Sequence, residues 1–196
     1  MITSLDELRA GKVLRGEAIS MRVIEAPATV RSTSDEVLYI LEKDEGIHLP
    51  PGAEVEIREK ATVLSVRADS SRPGNIHKVR MLDAPVQRTG DRWYRELIQS
   101  EITQFVGSIP PGRAPDHFHL YEEVLCILQG GGFLWADGAR TPITSGSCVY
   151  LPKKNVHCVE NTGSGELRLL GVFYPAGSPA VRYGVNENAG GGPDRR

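Results

Sequence analysis

Residues 112–130 read GRAPDHFHLYEEVLCILQG, and this stretch decides the fold class. Two histidines, His117 and His119, stand on either side of an aromatic residue, and the apolar run 124–128 follows. Alternation and short apolar runs that end at glycine are typical of β-strands. The stretch therefore predicts two strands that follow each other closely along the chain.

The rest of the chain has the same rhythm. Its 21 glycines and 13 prolines separate short runs rich in Val, Ile, Leu, Tyr and Phe, which is typical of an all-β protein. In the second half the predicted strands are 101–108, 116–120, 123–129, 132–136, 147–151, 156–161 and 167–174. The pair Asp137-Gly138 predicts a hairpin, and a short helix is predicted at 5–10, after Thr3 or Ser4.

Composition limits the class of protein and its partners. The chain has 196 residues, 40% of them apolar, and a net charge of -2 with scattered basic residues, so we expect no nucleic-acid partner. The apolar runs are far shorter than the roughly 20 residues that cross a bilayer, and residues 1–12 lack the apolar centre of a secretory signal. Three cysteines without CxxC spacing indicate reduced thiols. We therefore expect a cytoplasmic protein with neither a nucleic-acid nor a membrane partner.

A faint internal repeat divides the chain. Residues 35–42, DEVLYILE, resemble residues 122–129, EEVLCILQ, at an offset of 87 residues. The link between the halves, about 80–93, is polar and rich in turn residues. We predict a degenerate β domain without metal ligands at 1–86, a metal-binding domain at 87–183 and a flexible C-terminal tail at 184–196.

Four side chains are candidates for one metal site. In an extended strand His117 and His119 point to the same face about 7 Å apart. Glu123 shares their parity but would lie roughly 13 Å further along a straight strand, so the chain must bend before it. His157, at the start of a later strand, can reach the same point from the facing wall of a closed barrel. Three imidazoles and a carboxylate suit one divalent ion of Fe, Mn, Ni, Zn or Cu.

The spacing of these residues resembles the two sequence motifs of the cupin family. The first motif is Gly112-(4 residues)-His117-x-His119-(3)-Glu123-(6)-Gly130, and the second is Gly146-(5)-Pro152-(4)-His157-(3)-Asn161. The departures are one residue fewer after Gly112 and a lysine, Lys154, where the family usually has glycine. The resemblance implies a double-sheet jelly roll, with the ion inside the barrel.

The first half departs further from the family. At the offset of 87, Val30 and Ser32 occupy the two histidine positions, and only Glu36 matches the acidic one. The whole chain thus resembles a two-cupin protein with one surviving centre. The alternative is a single cupin with extra strands.

The function that the resemblance implies is metal-dependent chemistry on a small organic molecule. An oxygen-dependent oxidoreductase of the dioxygenase type is the first hypothesis. A non-redox isomerase, cyclase, decarboxylase or hydrolase, in which the metal acts as a Lewis acid, is the second. A non-catalytic ligand-binding module is the third. No catalytic residue is assigned. Pairing of sheet edges between two chains would give a homodimer, which is a further expectation.

Several other residues have weaker predicted roles. Asn161 is expected to bond backbone groups in its own turn, and His48 and His77 are expected to bind no metal. Arg95 and Arg168 are candidates for a substrate carboxylate, but a salt link is favoured for each. Five aromatic residues could line the cavity or belong to the hydrophobic core, and the core is favoured for each: Phe105, Trp135, Tyr150, Phe173 and Tyr174.

Overall fold

The structure is a computed structural model that describes residues 1–184. The first half contains β1 (Ile2–Ser4), α1 (Leu5–Arg9), β2 (Leu14–Arg15), β3 (Ile19–Arg31), β4 (Glu36–Ile40), β5 (Glu45–Leu49), β6 (Glu54–Ala68) and β7 (His77–Arg80). The second half contains β8 (Gln87–Thr89), β9 (Arg92–Gln99), β10 (Thr103–Ile109), β11 (Gly112–Arg113), β12 (His117–Phe118), β13 (Glu122–Gln129), β14 (Gly131–Ala136), β15 (Ala139–Thr144), β16 (Ser147–Leu151), β17 (His157–Asn161), β18 (Leu167–Tyr174) and β19 (Tyr183–Gly184). Single turns of 3₁₀ helix lie at Leu41–Lys43 and Met81–Asp83. The all-β prediction is confirmed.

Two facing sheets form the jelly roll of the second half. The central sheet has seven strands in the order β1-β16-β13-β18-β10-β9-β8. The outer sheet has the order β15-β14-β17-β12-β19, with β11 beside β17. The core between them contains Leu125, Leu134, Val159 and Leu169, because alternate residues of each strand point into the space between the sheets.

The strands at residues 14–80 form one further sheet, the N-terminal sheet, in the order β2-β3-β6-β4-β5-β7. It packs on the face of the central sheet that points away from the jelly roll, so Met21, Val37 and Leu64 share a core with Val124 and Leu170. Both faces of β13 are therefore buried, and this explains the unbroken apolar run 124–128. The two-barrel organisation and the boundary at residue 86 stay predictions.

The two halves are joined by more than apolar contact. Strand β1 pairs with β16, with Ile2 opposite Val149, so the first residues of the chain complete the central sheet. The Glu122 carboxylate accepts hydrogen bonds from the backbone N–H groups of Glu17 and Ala18 at 2.9 and 3.0 Å. Since Glu122 and Glu123 are adjacent in a strand, they point to opposite faces of the sheet. One carboxylate thus binds the N-terminal half while the next points into the jelly roll.

The predicted helix is present as α1, and Ser4 begins it. The Ser4 side chain accepts from the Glu7 N–H, and the Glu7 carboxylate accepts from the Ser4 N–H, which is a capping box. No helix within residues 1–184 is long and apolar enough to cross a membrane. The predicted C-terminal tail lies outside the described residues, except Gly184, which pairs with His117 in β19.

Candidate metal centre

The structure brings the four candidate side chains together. His117 lies on β12 directly opposite His157, the first residue of β17. The ligand atoms of His117, His119 and His157 all lie within 4.8 Å of one another. A carboxylate oxygen of Glu123 is 3.4 Å from His157 Nε2 and 3.8 Å from His119 Nε2. Ligands about 2.1 Å from one ion lie about 3 to 4 Å from each other, so the group can hold a metal ion.

Backbone carbonyl groups fix the direction of each ring. The Nδ1 atoms of the three histidines lie 2.8 to 3.1 Å from carbonyl oxygens, and the pairs are His117 with Pro115, His119 with Val181 and His157 with Asn155. When Nδ1–H donates to a carbonyl, the lone pair of the ring is on Nε2. Metal sites use this arrangement to orient imidazole ligands.

Burial favours the neutral, metal-binding form of two of the rings. Burial, followed by the charges of His157 and His119, lowers the pKa of His117 to about 2. Burial also lowers the pKa of His119, against the opposite effect of Glu123. For His157 burial alone would lower the pKa, but the Glu123 carboxylate outweighs it and raises the pKa. Glu123 thus opposes the effect of burial at both neighbouring imidazoles, His119 and His157.

The surroundings of the Glu123 carboxylate indicate that the site suits a cation. Its oxygen Oε2 is buried, and no hydrogen bond reaches it within residues 1–184. A buried carboxylate oxygen without a hydrogen-bond donor lowers the free energy of unfolding by on the order of 1–3 kcal/mol. A metal ion among the three Nε2 atoms would supply the missing positive charge, so the residues fit the group.

The lysine that departs from the family motif keeps the backbone shape of glycine. Lys154 has φ +62°, in the left-handed region, which glycine adopts at little cost. The Lys154 N–H donates to the carbonyl oxygen of His119 at 2.7 Å. The turn before His157 is therefore tied to the residue that follows β12, His119.

A cavity of about 110 Å³ opens beside the histidines. Of the aromatic residues considered from sequence, Phe105 and Phe173 line it. The other three make polar contacts elsewhere: Trp135 with Glu160, Tyr150 with Glu122 and Tyr174 with the Asp69 carbonyl.

The two arginines considered from sequence lie outside the cavity, while two others line it. Arg168 pairs with Asp44 at 3.3 Å, and Arg95 donates to the Ala84 carbonyl. Arg92 and Arg182 line the cavity instead, and sequence reasoning missed both. The turn Gly90-Asp91 indicates the hairpin that presents Arg92, but no local signal indicates Arg182.

The remaining expectations concern residues outside the centre. Asn161 is structural as predicted, because its amide donates to the carbonyls of Ile109 and Gly165 and its oxygen accepts from Gly163. His48 is buried and pairs with Asp35 at 2.8 Å. Neither it nor the exposed His77 joins a metal-ligand group within the described residues.

Comparison with known proteins gives a family match in the second half. Residues 105–173 match the family model of the cupin domain. An uncharacterized protein of Methanocaldococcus jannaschii is 35% identical over 54 residues, which cover 28% of this chain and 43% of that protein. Auxin-binding protein 1 of Arabidopsis thaliana is 30% identical over 80 residues, which cover 36% of this chain and 40% of that protein. The chain thus spans less than half the length of either relative.

Solved structures resemble most of the chain. AerE from Microcystis aeruginosa has a TM-score of 0.68 at 14% identity, over 82% of this chain and 90% of that chain. Bacillus subtilis oxalate decarboxylase, in a structure described for its Mn(II) centres, has a TM-score of 0.65 at 14% identity, over 90% of this chain and 73% of that chain. At this identity the likeness shows a shared fold.

Proposed function

We propose, on the premise that residues 105–173 of this chain form a cupin domain, that the protein is a metal-dependent enzyme that acts on a small organic molecule. The observation that carries the proposal is the convergence of three imidazoles, each with its Nδ1 at a backbone carbonyl, beside a buried carboxylate oxygen that no hydrogen bond reaches within residues 1–184. His117, His119, His157 and Glu123 would hold the ion. A small molecule would enter the adjoining cavity and reach the centre from there.

The residues around the centre have distinct parts in this proposal. The three carbonyl groups hold the rings in place, so little rearrangement accompanies metal binding. Glu123 offsets the charge of the ion within a buried site. Apolar side chains such as Phe105 and Leu125 line the cavity and would exclude water from a bound substrate.

The native metal and the reaction class belong to the proposal as well. A nitrogen and oxygen donor set suits Fe, Mn, Ni, Zn or Cu, and a fold neighbour described for its Mn(II) centres supports manganese. A redox-active ion would supply oxygen-dependent oxidation, and a redox-inert ion would act as a Lewis acid. We favour an oxygen-dependent oxidoreductase of the dioxygenase type, because the donor set suits redox-active ions and four protein ligands leave open positions on a six-coordinate metal.

Two other functions each have one observation in their favour. The fold likeness to an oxalate decarboxylase supports a non-redox reaction such as decarboxylation. The relative named auxin-binding protein supports a module that binds a small ligand without converting it. A cytoplasmic location, a small-molecule partner rather than nucleic acid or membrane, and a homodimer remain proposals from the sequence.

Elemental analysis and oxygen uptake test the proposal. Protein purified without chelating resin should contain about one transition-metal ion per chain, and the variant His119→Ala should lose it while the β-sheet circular dichroism persists. Fe(II)- or Mn(II)-loaded protein should then consume oxygen with one member of a panel of small organic acids. Conversion under argon would favour the non-redox class, binding without conversion would favour the module, and unchanged metal content in His119→Ala would refute the site.

A further inference from the structure

Two arginines line the cavity beside the three histidines. Arg92 is the first residue of β9, where it lies opposite Thr89 in the β8–β9 hairpin. Arg182 lies in the segment that leads into β19. Both side chains border the space onto which His117 also opens, so the cavity has two cationic groups close to the metal centre.

The segment that carries Arg182 is held against Phe118 and His119 by the residues on either side of the arginine. The Val181 carbonyl lies 3.1 Å from His119 Nδ1. The Tyr183 ring stacks on Phe118, with ring centroids 5.4 Å apart and an interplanar angle of 17°. Arg182 therefore lies between a residue that orients a proposed metal ligand, His119, and one that stacks on Phe118.

Arg92 lies in an environment that favours an anion. Its side chain makes no ion pair within residues 1–184. Burial, followed by the positive charge of Arg182, lowers the pKa of Arg92. Two like charges that face one partly buried space repel each other, and a bound anion relieves that repulsion.

The remaining walls of the cavity are largely apolar. Phe105 and Phe173 pack with ring centroids 4.8 Å apart, and Leu125 and Leu169 complete this wall. A wholly polar anion would leave these side chains without an apolar partner. An anion with an apolar body would contact both parts of the cavity.

We propose that the cavity binds a small organic monocarboxylate, with its carboxylate at Arg92 and Arg182 and its apolar body against Phe105 and Leu125. This inference rests on the function proposed above, because it names the substrate class of the same centre. A guanidinium group binds a carboxylate through two parallel hydrogen bonds. The arginines would thus set the orientation in which the substrate meets the centre.

Calorimetric titration with benzoate, benzamide and oxalate tests the inference on Zn(II)-loaded and on metal-free protein. Benzoate has both a charge and an apolar body, benzamide lacks the charge, and oxalate lacks the apolar body. We expect benzoate to bind at least about 10-fold more tightly than either comparison compound. The variant Arg92→Gln should weaken benzoate binding about 10-fold with unchanged zinc content, whereas Arg88→Gln, in the same hairpin but outside the cavity, should leave it unchanged.

Specific outcomes would overturn the inference. Equal benzoate affinity in wild type and Arg92→Gln, or equal affinity for benzamide, would refute the carboxylate site. Because oxalate chelates Zn(II), its comparison is made on metal-free protein, where tighter binding of oxalate than of benzoate would refute the apolar body. If Arg92→Gln does not fold, Arg92→Lys keeps the charge without the paired donors and should bind benzoate more weakly than wild type; equal affinity would count against the site. Arginine-dependent binding by protein that takes up no metal would refute the proposed function alone.

Discussion

Two glutamates at equivalent positions of the internal repeat show how differently the two halves treat a buried acid. Glu36 in β4 is fully buried, and it accepts hydrogen bonds from Ser65 at 2.5 Å, Arg67 at 2.9 Å and Arg22 at 3.2 Å. Glu123 in β13 is 5% exposed, and its Oε2 has no hydrogen bond within residues 1–184. The first acid is neutralised by side chains of the protein, whereas the second faces imidazoles that suit a cation.

The positions around the two glutamates explain the difference. Where the second half has His117 and His119, the first half has Val30 and Ser32, both buried. Val30 belongs to an apolar cluster of the N-terminal sheet and offers no ligand. A hydrogen bond from the Ser32 side chain helps to lower the pKa of Glu36. The same acidic residue therefore stabilises the sheet in one half and would bind a metal in the other.

The largest expected effect is on stability. In metal-free protein Glu36→Gln removes the charge that pairs with two arginines, and we expect it to lower the free energy of unfolding by about 2 kcal/mol, since both arginines are partly exposed. Glu123→Gln should lower the same quantity less, because the lost carboxylate contacts only imidazoles, at 3.4 Å in His157 and 3.8 Å in His119. Urea denaturation of the two variants checks this. A greater loss in Glu123→Gln would invert the comparison.

The second half also depends on the segment that follows β18. A Cβ atom on Gly177 would lie 2.2 Å from the Tyr121 ring, and that ring stacks on His119 with centroids 4.8 Å apart. We expect Gly177→Ala to shift the ring and weaken metal binding about 10-fold, as measured by competition with a chromogenic chelator. Gly165→Ala is the control, since nothing lies within 4 Å of its added carbon. Equal affinities in both variants would exclude this support of His119.

The pH dependence of stability should separate the two halves as well. Burial would raise the pKa of Glu36, but hydrogen bonds from Ser65, Ser32 and Arg67 outweigh it and hold the pKa below the ordinary value of 4.5. An acid whose pKa is lower in the folded state stabilises the fold above its unfolded pKa, and that contribution disappears as pH falls through the folded pKa. Wild type should therefore lose more stability than Glu36→Gln as pH falls below 4.5, and the two proteins should lose similar amounts between pH 7 and 5. Parallel urea curves would contradict this.

The smallest expected effect concerns the turn before His157. Lys154 has φ +62°, and glycine relieves a left-handed penalty of about 1–2 kcal/mol at an entropic cost of about 0.5–1. Lys154→Gly should stabilise the protein by about 0.5 kcal/mol. Lys153 does not have a positive φ, so the control variant Lys153→Gly should destabilise the protein. Thermal melts of both variants measure the difference. A lower melting temperature in Lys154→Gly would show that the lysine side chain supports the turn.

Local patterns predicted the second half well. The predicted strands 147–151 and 167–174 match β16 and β18 to the residue, because glycine turns and alternating side chains are local signals. The four candidate ligands also lie together, since the motif spacing encodes their strands. Glu122 could not be predicted as a contact between the halves, because its partners Glu17 and Ala18 are more than 100 residues away in sequence.

Long-range packing limited the rest of the prediction. No local pattern indicated that β1 would join the central sheet, or that β3 would extend over 13 residues, since both depend on partners distant in sequence. Arg92 and Arg182 were missed for the same reason. A single charged residue beside a turn does not indicate which cavity it borders.

The metal content of the two glutamate variants tests the central claim most directly. Wild type and Glu36→Gln, expressed in the same metal-supplemented medium and purified without chelators, should each contain about one transition-metal ion per folded chain. Glu123→Gln should contain far less, because it lacks the anionic ligand. Equal metal content in Glu123→Gln and Glu36→Gln would contradict the assignment of the centre to the second half.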